Sequence, residues 1–205
     1  MGGPDAGDAV AEAAAMNPAA AEKRTVLLLS AAQALFQTSS VIVVTLSGLA
    51  GQALAVDKSL ATLPMAMLMV AAAALMIPAS LLMQRFGRKT GFLLGALLGG
   101  LAGVTTAAAL WLHEFWLFVA GNMLVGGYQA FAQYYRFAAA DAASLAFKSR
   151  AIAWVTAGGV VAALAGTLIA RHTQHIGATP FLYSYLAMVL LSLGALVVIS
   201  RLHLV

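Results

Sequence analysis

Long apolar runs, separated only by short polar stretches, fill the sequence from about residue 25 to its end. The chain is 62% hydrophobic and 9% charged, with a mean hydropathy of +0.94. Soluble domains carry about 25% charged residues, whereas roughly 20 apolar residues are enough for a helix to cross a bilayer. The pattern therefore predicts an all-α membrane protein that crosses the lipid bilayer several times.

Hydropathy divides the chain into a tail and one membrane domain. Residues 1–24 are Ala-rich and acidic before their last cations, the reverse of a secretory signal, which predicts a disordered cytoplasmic tail. Residues 25–205 form a predicted domain of six transmembrane helices. The predicted spans are approximately 25–52, 60–82, 91–112, 115–138, 150–170 and 180–200.

The positive charges lie mostly on one side of these predicted spans. Of the 11 Lys and Arg residues, only Lys58 and Arg171 lie on the other side. Because cytoplasmic loops carry the excess of Lys and Arg, both termini are predicted to be cytoplasmic, in a bacterial inner membrane. The cations lie in membrane loops and form no basic face, so nucleic acid is not an expected partner.

A weak internal repeat relates the two halves of the membrane domain. The segment Gln33–Gln37 in span 1 is similar to Gln129–Gln133 in span 4, and Lys58 precedes span 2 as Lys148 precedes span 5. The shared order of these matches predicts two three-helix repeats with inverted topology, a known plan of secondary transporters.

The turn after span 2 reads Gln-Arg-Phe-Gly-Arg-Lys at residues 84–89, four residues after Ser80. It resembles the loop Gly-x-x-x-Asp-Arg/Lys-x-Gly-Arg-Arg/Lys between helices 2 and 3 of the major facilitator superfamily. Glycine suits such a turn because it adopts backbone angles that other residues avoid. The family's helix 4 often ends in an Asp that pairs with this loop, and Asp141 stands there. The resemblance implies a gating group, with Arg150 as a further candidate: Arg85, Gly87, Arg88, Lys89, Asp141 and Arg150.

The chain departs from the family pattern in three places. Gln84 replaces the acidic residue of the loop, and Gly166-Thr167 stands where the antiporter signature has Gly-Pro. The family also carries twelve helices in two halves, and this chain has six predicted spans. The resemblance thus implies the amino-terminal half of a transporter, with one wall of a solute cavity. A second copy or a separate six-helix chain would complete the cavity, or the chain is a fragment that does not transport.

Amide side chains mark the predicted solute path. In span 4 they belong to a stripe that recurs at steps of three and four residues and so shares one helical face: Asn122, Gly126, Gln129, Gln133 and Arg136 or Phe137. In span 1 two amides, Gln33 and Gln37, lie one turn apart. They either line a cavity or hydrogen-bond between helices, where such bonds average about 0.6 kcal/mol. Arg136 either serves the cavity or extends to the cytoplasmic headgroups. The predicted solute-binding residues are Gln33, Gln37, Asn122, Gln129, Gln133, Tyr134 and Arg136.

Residues for other chemistry are missing from the sequence. There is no Cys, no carboxylate near the middle of a span, and no motif of a hydrolase, zinc protease or phosphate-binding loop. No enzyme activity, cofactor or metal is therefore expected, and His172 and His175 are interpreted as loop residues. Two hypotheses remain: a half-length carrier for a small organic solute that works by alternating access, or a non-transporting membrane scaffold derived from a truncated transporter.

Overall fold

The computed structural model describes residues 18–202, and the first part of the predicted tail, residues 1–17, lies outside them. Within the described part the protein is entirely helical, with seven α-helices and one short 3-10 helix, Lys58–Leu60, after the first of them. The α-helices are α1 (Pro18–Leu54), α2 (Leu63–Phe86), α3 (Arg88–Leu112), α4 (Phe115–Ala132), α5 (Tyr135–Ala142), α6 (Lys148–Thr173) and α7 (Leu182–Ser200).

Five of the described helices, α1, α2, α3, α6 and α7, are long and apolar enough to cross a membrane. The fourth predicted span is not among them. Its helix α4 is 18 residues long and contains Asn122 and Gln129, whose amides lower its hydropathy. The all-helical membrane class is therefore supported, whereas the number of six spans stays a prediction.

Two helix boundaries differ from the predicted ones. Helix α1 begins at Pro18 and not near residue 25, because the Ala residues ahead of the apolar run favour helix. The predicted span 115–138 is not one helix: α4 ends at Ala132 and α5 begins at Tyr135. At the break the Tyr134 N–H bonds to the Phe131 carbonyl 3.1 Å away, a tighter i→i−3 bond that ends the regular α pattern.

The helices pack as a bundle in which α1 lies along α6, α4 lies between α2 and α3, and α7 contacts both α3 and α1. Large apolar side chains fill the interior, including Phe92, Phe118, Tyr128 and Tyr185. Close approach depends on small residues: a Cβ at Gly126 of α4 would overlap the Leu68 carbonyl of α2. Of the five apolar helices, α2 and α6 are the least buried within the bundle.

Two of the short connections between helices use backbone with a positive φ. Gly87 joins α2 directly to α3 with a φ of 85°, so the expectation that this turn requires glycine is confirmed. His113 ends α3 with a φ of 57°, and its N–H bonds to the Ala109 carbonyl. These turns join α2, α3 and α4 in succession with one and two residues between them.

Candidate functional site

Two amide side chains of α1 lie against one glycine of α6, Gly159. A Cβ placed on Gly159 would be 3.6 Å from Gln33 Nε2 and 3.8 Å from Gln37 Cγ, which is ordinary contact distance. Both Gln side chains are half-buried, and neither makes a hydrogen bond within the described residues. Gln33 and Gln37 therefore form a common surface with Gly159, as their one-turn spacing predicts.

The amides of the fourth predicted span divide into a free one and two paired ones. Gln129 is half-buried, and its side chain has no hydrogen-bond partner among residues 18–202. Gln133 Oε1 accepts a bond from Arg136 Nη2 at 2.9 Å. Asn122 is fully buried and bonded within the bundle. The predicted stripe is thus split, because α4 ends between Gln129 and Gln133.

Asn122 belongs to a hydrogen-bond network that joins three helices. Its Oδ1 accepts a bond from Ser47 Oγ of α1 at 2.8 Å, and its Nδ2 donates to the Phe118 carbonyl. Ser47 Oγ also lies 3.2 Å from the Tyr185 hydroxyl of α7. All three side chains are completely buried. The structure therefore gives Asn122 the interhelical role that was one of its two interpretations, and it does not expose Asn122 on a solute path.

Tyr134 and Arg136 lie at the break between α4 and α5. The Tyr134 hydroxyl donates to the Met76 carbonyl of α2 at 3.1 Å, and the Tyr134 ring is 6.1 Å from the Phe137 ring. Arg136 is exposed and bonds only to Gln133. This arrangement fits the interpretation in which Arg136 reaches toward headgroups, and Tyr134 is occupied in connecting two helices.

The turn between α2 and α3 is connected to two distant parts of the chain. Arg88 forms an ion pair with Asp141 of α5, as the family resemblance implies for this cationic turn. Lys89 Nζ donates to the Ser200 carbonyl at the end of α7 at 2.9 Å. The structure therefore selects Arg88, and not Arg85, as the partner of Asp141.

Two other charged residues of the predicted gating group, Arg85 and Arg150, take no part in this ion pair. The Arg85 guanidinium is 5.3 Å from the centre of the Phe86 ring and makes no ion pair within the described chain. Arg150 is exposed and likewise has no ion-pair partner among those residues. The place of Arg150 in the gating group therefore stays a prediction.

One contact at the same end of the bundle is not predicted by the sequence. Glu22 Oε1 of α1 accepts bonds from the Ser144 N–H at 2.6 Å and from Ser144 Oγ at 3.0 Å. It fixes the start of α1 to the loop between α5 and α6. The sequence contains no signal for it, because the two residues lie 122 positions apart and neither belongs to a recognisable motif.

At the opposite end, Asp57 caps the short 3-10 helix. Its Oδ1 accepts the Ser59 N–H at 2.9 Å, and this bond holds the pKa of the Asp57 carboxyl below its ordinary value of 3.8. Lys58 Nζ donates to the Gln52 and Ala55 carbonyls at the end of α1.

His172 Nδ1 lies 2.8 Å from the Leu168 carbonyl, and residues 18–202 contain no cluster of three or more potential metal ligands.

The free amides define what this surface can do chemically. Each carboxamide offers an acceptor oxygen and two N–H donors without a net charge. The described carboxylates, Glu22, Asp57, Glu114 and Asp141, all lie near helix ends or in turns. The free amides of Gln33 and Gln37 on α1 and of Gln129 on α4 can therefore each exchange hydrogen bonds with an uncharged polar solute.

Comparison with known proteins gives one informative similarity. Over 189 residues, 92% of its length, the chain is 41% identical to the riboflavin transporter RfnT of Brucella anthropi. The match covers 48% of that protein, so the chain spans about half the length of this curated relative. No family model matches the chain. The chain is thus an integral membrane protein of apolar helices that is similar to half of a membrane transporter.

Proposed function

We propose that the chain is one half of a secondary transporter of the major facilitator type, which carries a flavin, with riboflavin as the first candidate, across the membrane. The observation that carries this proposal is the 41% identity to a riboflavin transporter along almost the whole chain. The proposed protein is a carrier and not an enzyme, and it works by alternating access of the solute site to the two sides of the membrane.

Assignment to the major facilitator type is supported by the turn that contains Gly87 and by the ion pair between Arg88 and Asp141. The proposed inverted repeat is supported by the packing pattern. The repeat matches α1 with α4, α2 with α6, and α3 with α7. Under this matching the pair α1–α6 corresponds to α4–α2, and the pair α3–α4 corresponds to α7–α1. All four of these pairs are in contact.

A second six-helix half is part of the proposal. The surfaces of α2 and α6 support a second half, because both helices are apolar and the other helices of this half leave them largely exposed. Their exposed side chains include Ile77, Leu81, Val161 and Leu164. The second half would come from a longer form of the chain, from a second copy or from a separate protein, and lipid would cover the remaining apolar surface.

The solute is proposed from the name of the relative together with the character of the amide surface. A flavin ring is planar, is uncharged at neutral pH and carries several polar edge atoms, which match free carboxamides on α1 and α4. Gln33, Gln37 and Gln129 would contact it, and Asn122 would hold the helices together. Arg88, Lys89 and Asp141 would bias the transition between the inward-open and outward-open states.

Uptake of labelled riboflavin by cells that cannot synthesise it tests this function. We expect cells that express the protein to accumulate the label faster than cells that carry the empty vector, with competition by unlabelled riboflavin. A membrane-inserted protein that gives no uptake in any assembly would instead favour the non-transporting scaffold.

The proposed location is the bacterial inner membrane, with both termini cytoplasmic. Because the chain contains no Cys, single cysteines report its orientation without background. We expect Gln84→Cys to be labelled from the cytoplasmic side and Ser59→Cys from the opposite side, and labelling of both from one side would refute the proposed orientation.

A further inference from the structure

Gln33 differs from the other amides of the proposed site in one respect. Its Oε1 is buried and has no hydrogen-bond partner among residues 18–202, and its Nε2 also makes no bond there. A buried carbonyl oxygen without a partner is unfavourable, because it has lost its bonds to water and gained none in exchange. The Gln33 amide therefore has a free donor and a free acceptor for a group that the described helices do not supply.

The surroundings of Gln33 include two adjacent glycines of α6. Gly158 and Gly159 of α6 lie opposite α1, so no side chain extends from α6 at this level. A Cβ on Gly159 would meet Gln33 Nε2 at 3.6 Å, and a Cβ on Gly158 would meet the Ser30 carbonyl at 3.3 Å. The next turn of α1 carries Gln37, whose amide is also free.

A carboxamide with both groups free can make two parallel hydrogen bonds in one plane, one accepted and one donated. The matching ligand group has an N–H beside a C=O, as in a cyclic imide. The ring of riboflavin carries such an imide edge. Resting on the proposed function, we propose that Gln33 recognises the imide edge of the flavin ring, with Oε1 accepting its N–H and Nε2 donating to the adjacent carbonyl.

The other amides are less suited to this role. Gln133 Oε1 already accepts a bond from Arg136, and Asn122 is occupied by Ser47. The amides of Gln37 and Gln129 are free, but neither has a fully buried polar atom without a partner. Because an unpaired buried acceptor is unfavourable, a bond from a ligand to Gln33 Oε1 contributes more to affinity than a bond to an exposed amide.

The test compares riboflavin with a riboflavin analogue methylated at the imide nitrogen, which has no N–H to donate. Equilibrium binding of each compound is measured on membranes that contain the protein in the form that takes up riboflavin. We expect the unmodified protein to bind riboflavin about tenfold or more tightly than the methylated analogue, because the methyl group leaves Oε1 unpaired. In Gln33→Leu this preference should fall to about onefold, while Gln84→Leu, a change in the exposed turn, should retain it.

A second variant covers the case in which Gln33→Leu fails to fold. Gly159→Ala adds a methyl group at ordinary contact distance from Gln33, so the bundle accommodates it, but the methyl group occupies the space beside the amide. We expect several-fold weaker riboflavin binding with an unchanged melting temperature.

The possible outcomes separate the two proposals. If the unmodified protein binds both flavins equally, or if Gln33→Leu keeps the preference, the role of Gln33 is refuted while the carrier function stands. Unchanged riboflavin binding in Gly159→Ala also counts against the proposed contact between the ring and Gln33. If the protein binds no riboflavin at all, the carrier function fails and the role of Gln33 fails with it.

Discussion

The guanidinium of Arg88 at the start of α3 forms an ion pair with the carboxylate of Asp141 near the end of α5. It connects the turn after α2 to a helix more than 50 positions away in the sequence. The two side chains are 41% and 54% exposed, and an ion pair at such exposure contributes only about 0–1 kcal/mol to stability. Its expected effect is therefore on the balance between conformations and not on folding.

Neutralising Asp141 tests that expectation. Asp141→Asn should lower the rate of riboflavin uptake several-fold while changing the free energy of unfolding by less than about 1 kcal/mol. Glu114→Gln is the matched control, because Glu114 is also an exposed carboxylate but lies at the other end of the bundle without an ion pair among the described residues. Equal uptake by Asp141→Asn and the unmodified protein would show that the pair has no role in gating.

The buried network around Asn122 predicts a change in stability and not in affinity. Ser47→Ala removes the bonds to Asn122 and Tyr185, and it should reduce stability by about 1 kcal/mol while leaving riboflavin affinity unchanged. Thermal melting in detergent and equilibrium binding measure the two quantities, with the exposed Ser149→Ala as control. A loss of affinity at a constant melting temperature would support the other interpretation, in which Asn122 lines the solute path.

The contact of α4 with α2 predicts opposite effects at two glycines. Gly126→Ala places a methyl group against the Leu68 carbonyl and should destabilise the protein by about 1–3 kcal/mol. Gly100→Ala meets nothing within 4 Å and should be neutral or stabilising by up to about 1 kcal/mol, because Ala is the better helix former. Equal melting temperatures for the two variants would contradict the close approach of α2 and α4.

The capping bond of Asp57 predicts a response to acid in the loop between α1 and α2. Because the folded pKa of Asp57 lies below its ordinary value of 3.8, its ionised form favours the capped turn at any pH above 3.8. That contribution should decline as the pH falls from 3.8 through the lower folded pKa. Hydrogen exchange at the Ser59 amide should therefore accelerate across this range, and Asp57→Ala should exchange rapidly at every pH. Slow, pH-independent protection, after correction for intrinsic exchange, would argue against the cap.

Features that depend on local composition are predictable from the sequence. Apolar runs locate the helices, and the glycine in the cationic turn, Gly87, indicates the backbone conformation of that turn. The break after Ala132 is not predictable in this way, because Gln133 and Tyr134 lie within an otherwise apolar run and the break depends on a local hydrogen bond to Phe131. Hydropathy averages over a window and does not register such a bond.

In the candidate site, too, some features are predictable from the sequence and others depend on packing between helices. Helical spacing correctly places Gln33 and Gln37 together, but it does not show what a helical face meets. Spacing alone assigns Asn122 to the solute path, and its bond to Ser47, 75 positions earlier, gives it a different role. The bond between Glu22 and Ser144 is likewise a product of tertiary packing alone.

The most direct measurement of the central proposal is riboflavin flux into liposomes that contain a known number of six-helix units. In the proposal, one half supplies only one wall of the solute path; α2 and α6 are also largely uncovered in the described half. We therefore predict uptake when two halves are present, as a tethered pair, a dimer or a longer form of the chain, and none from a proven single half. Rapid flux through a single half, or no flux through any assembly of two, would contradict the proposal.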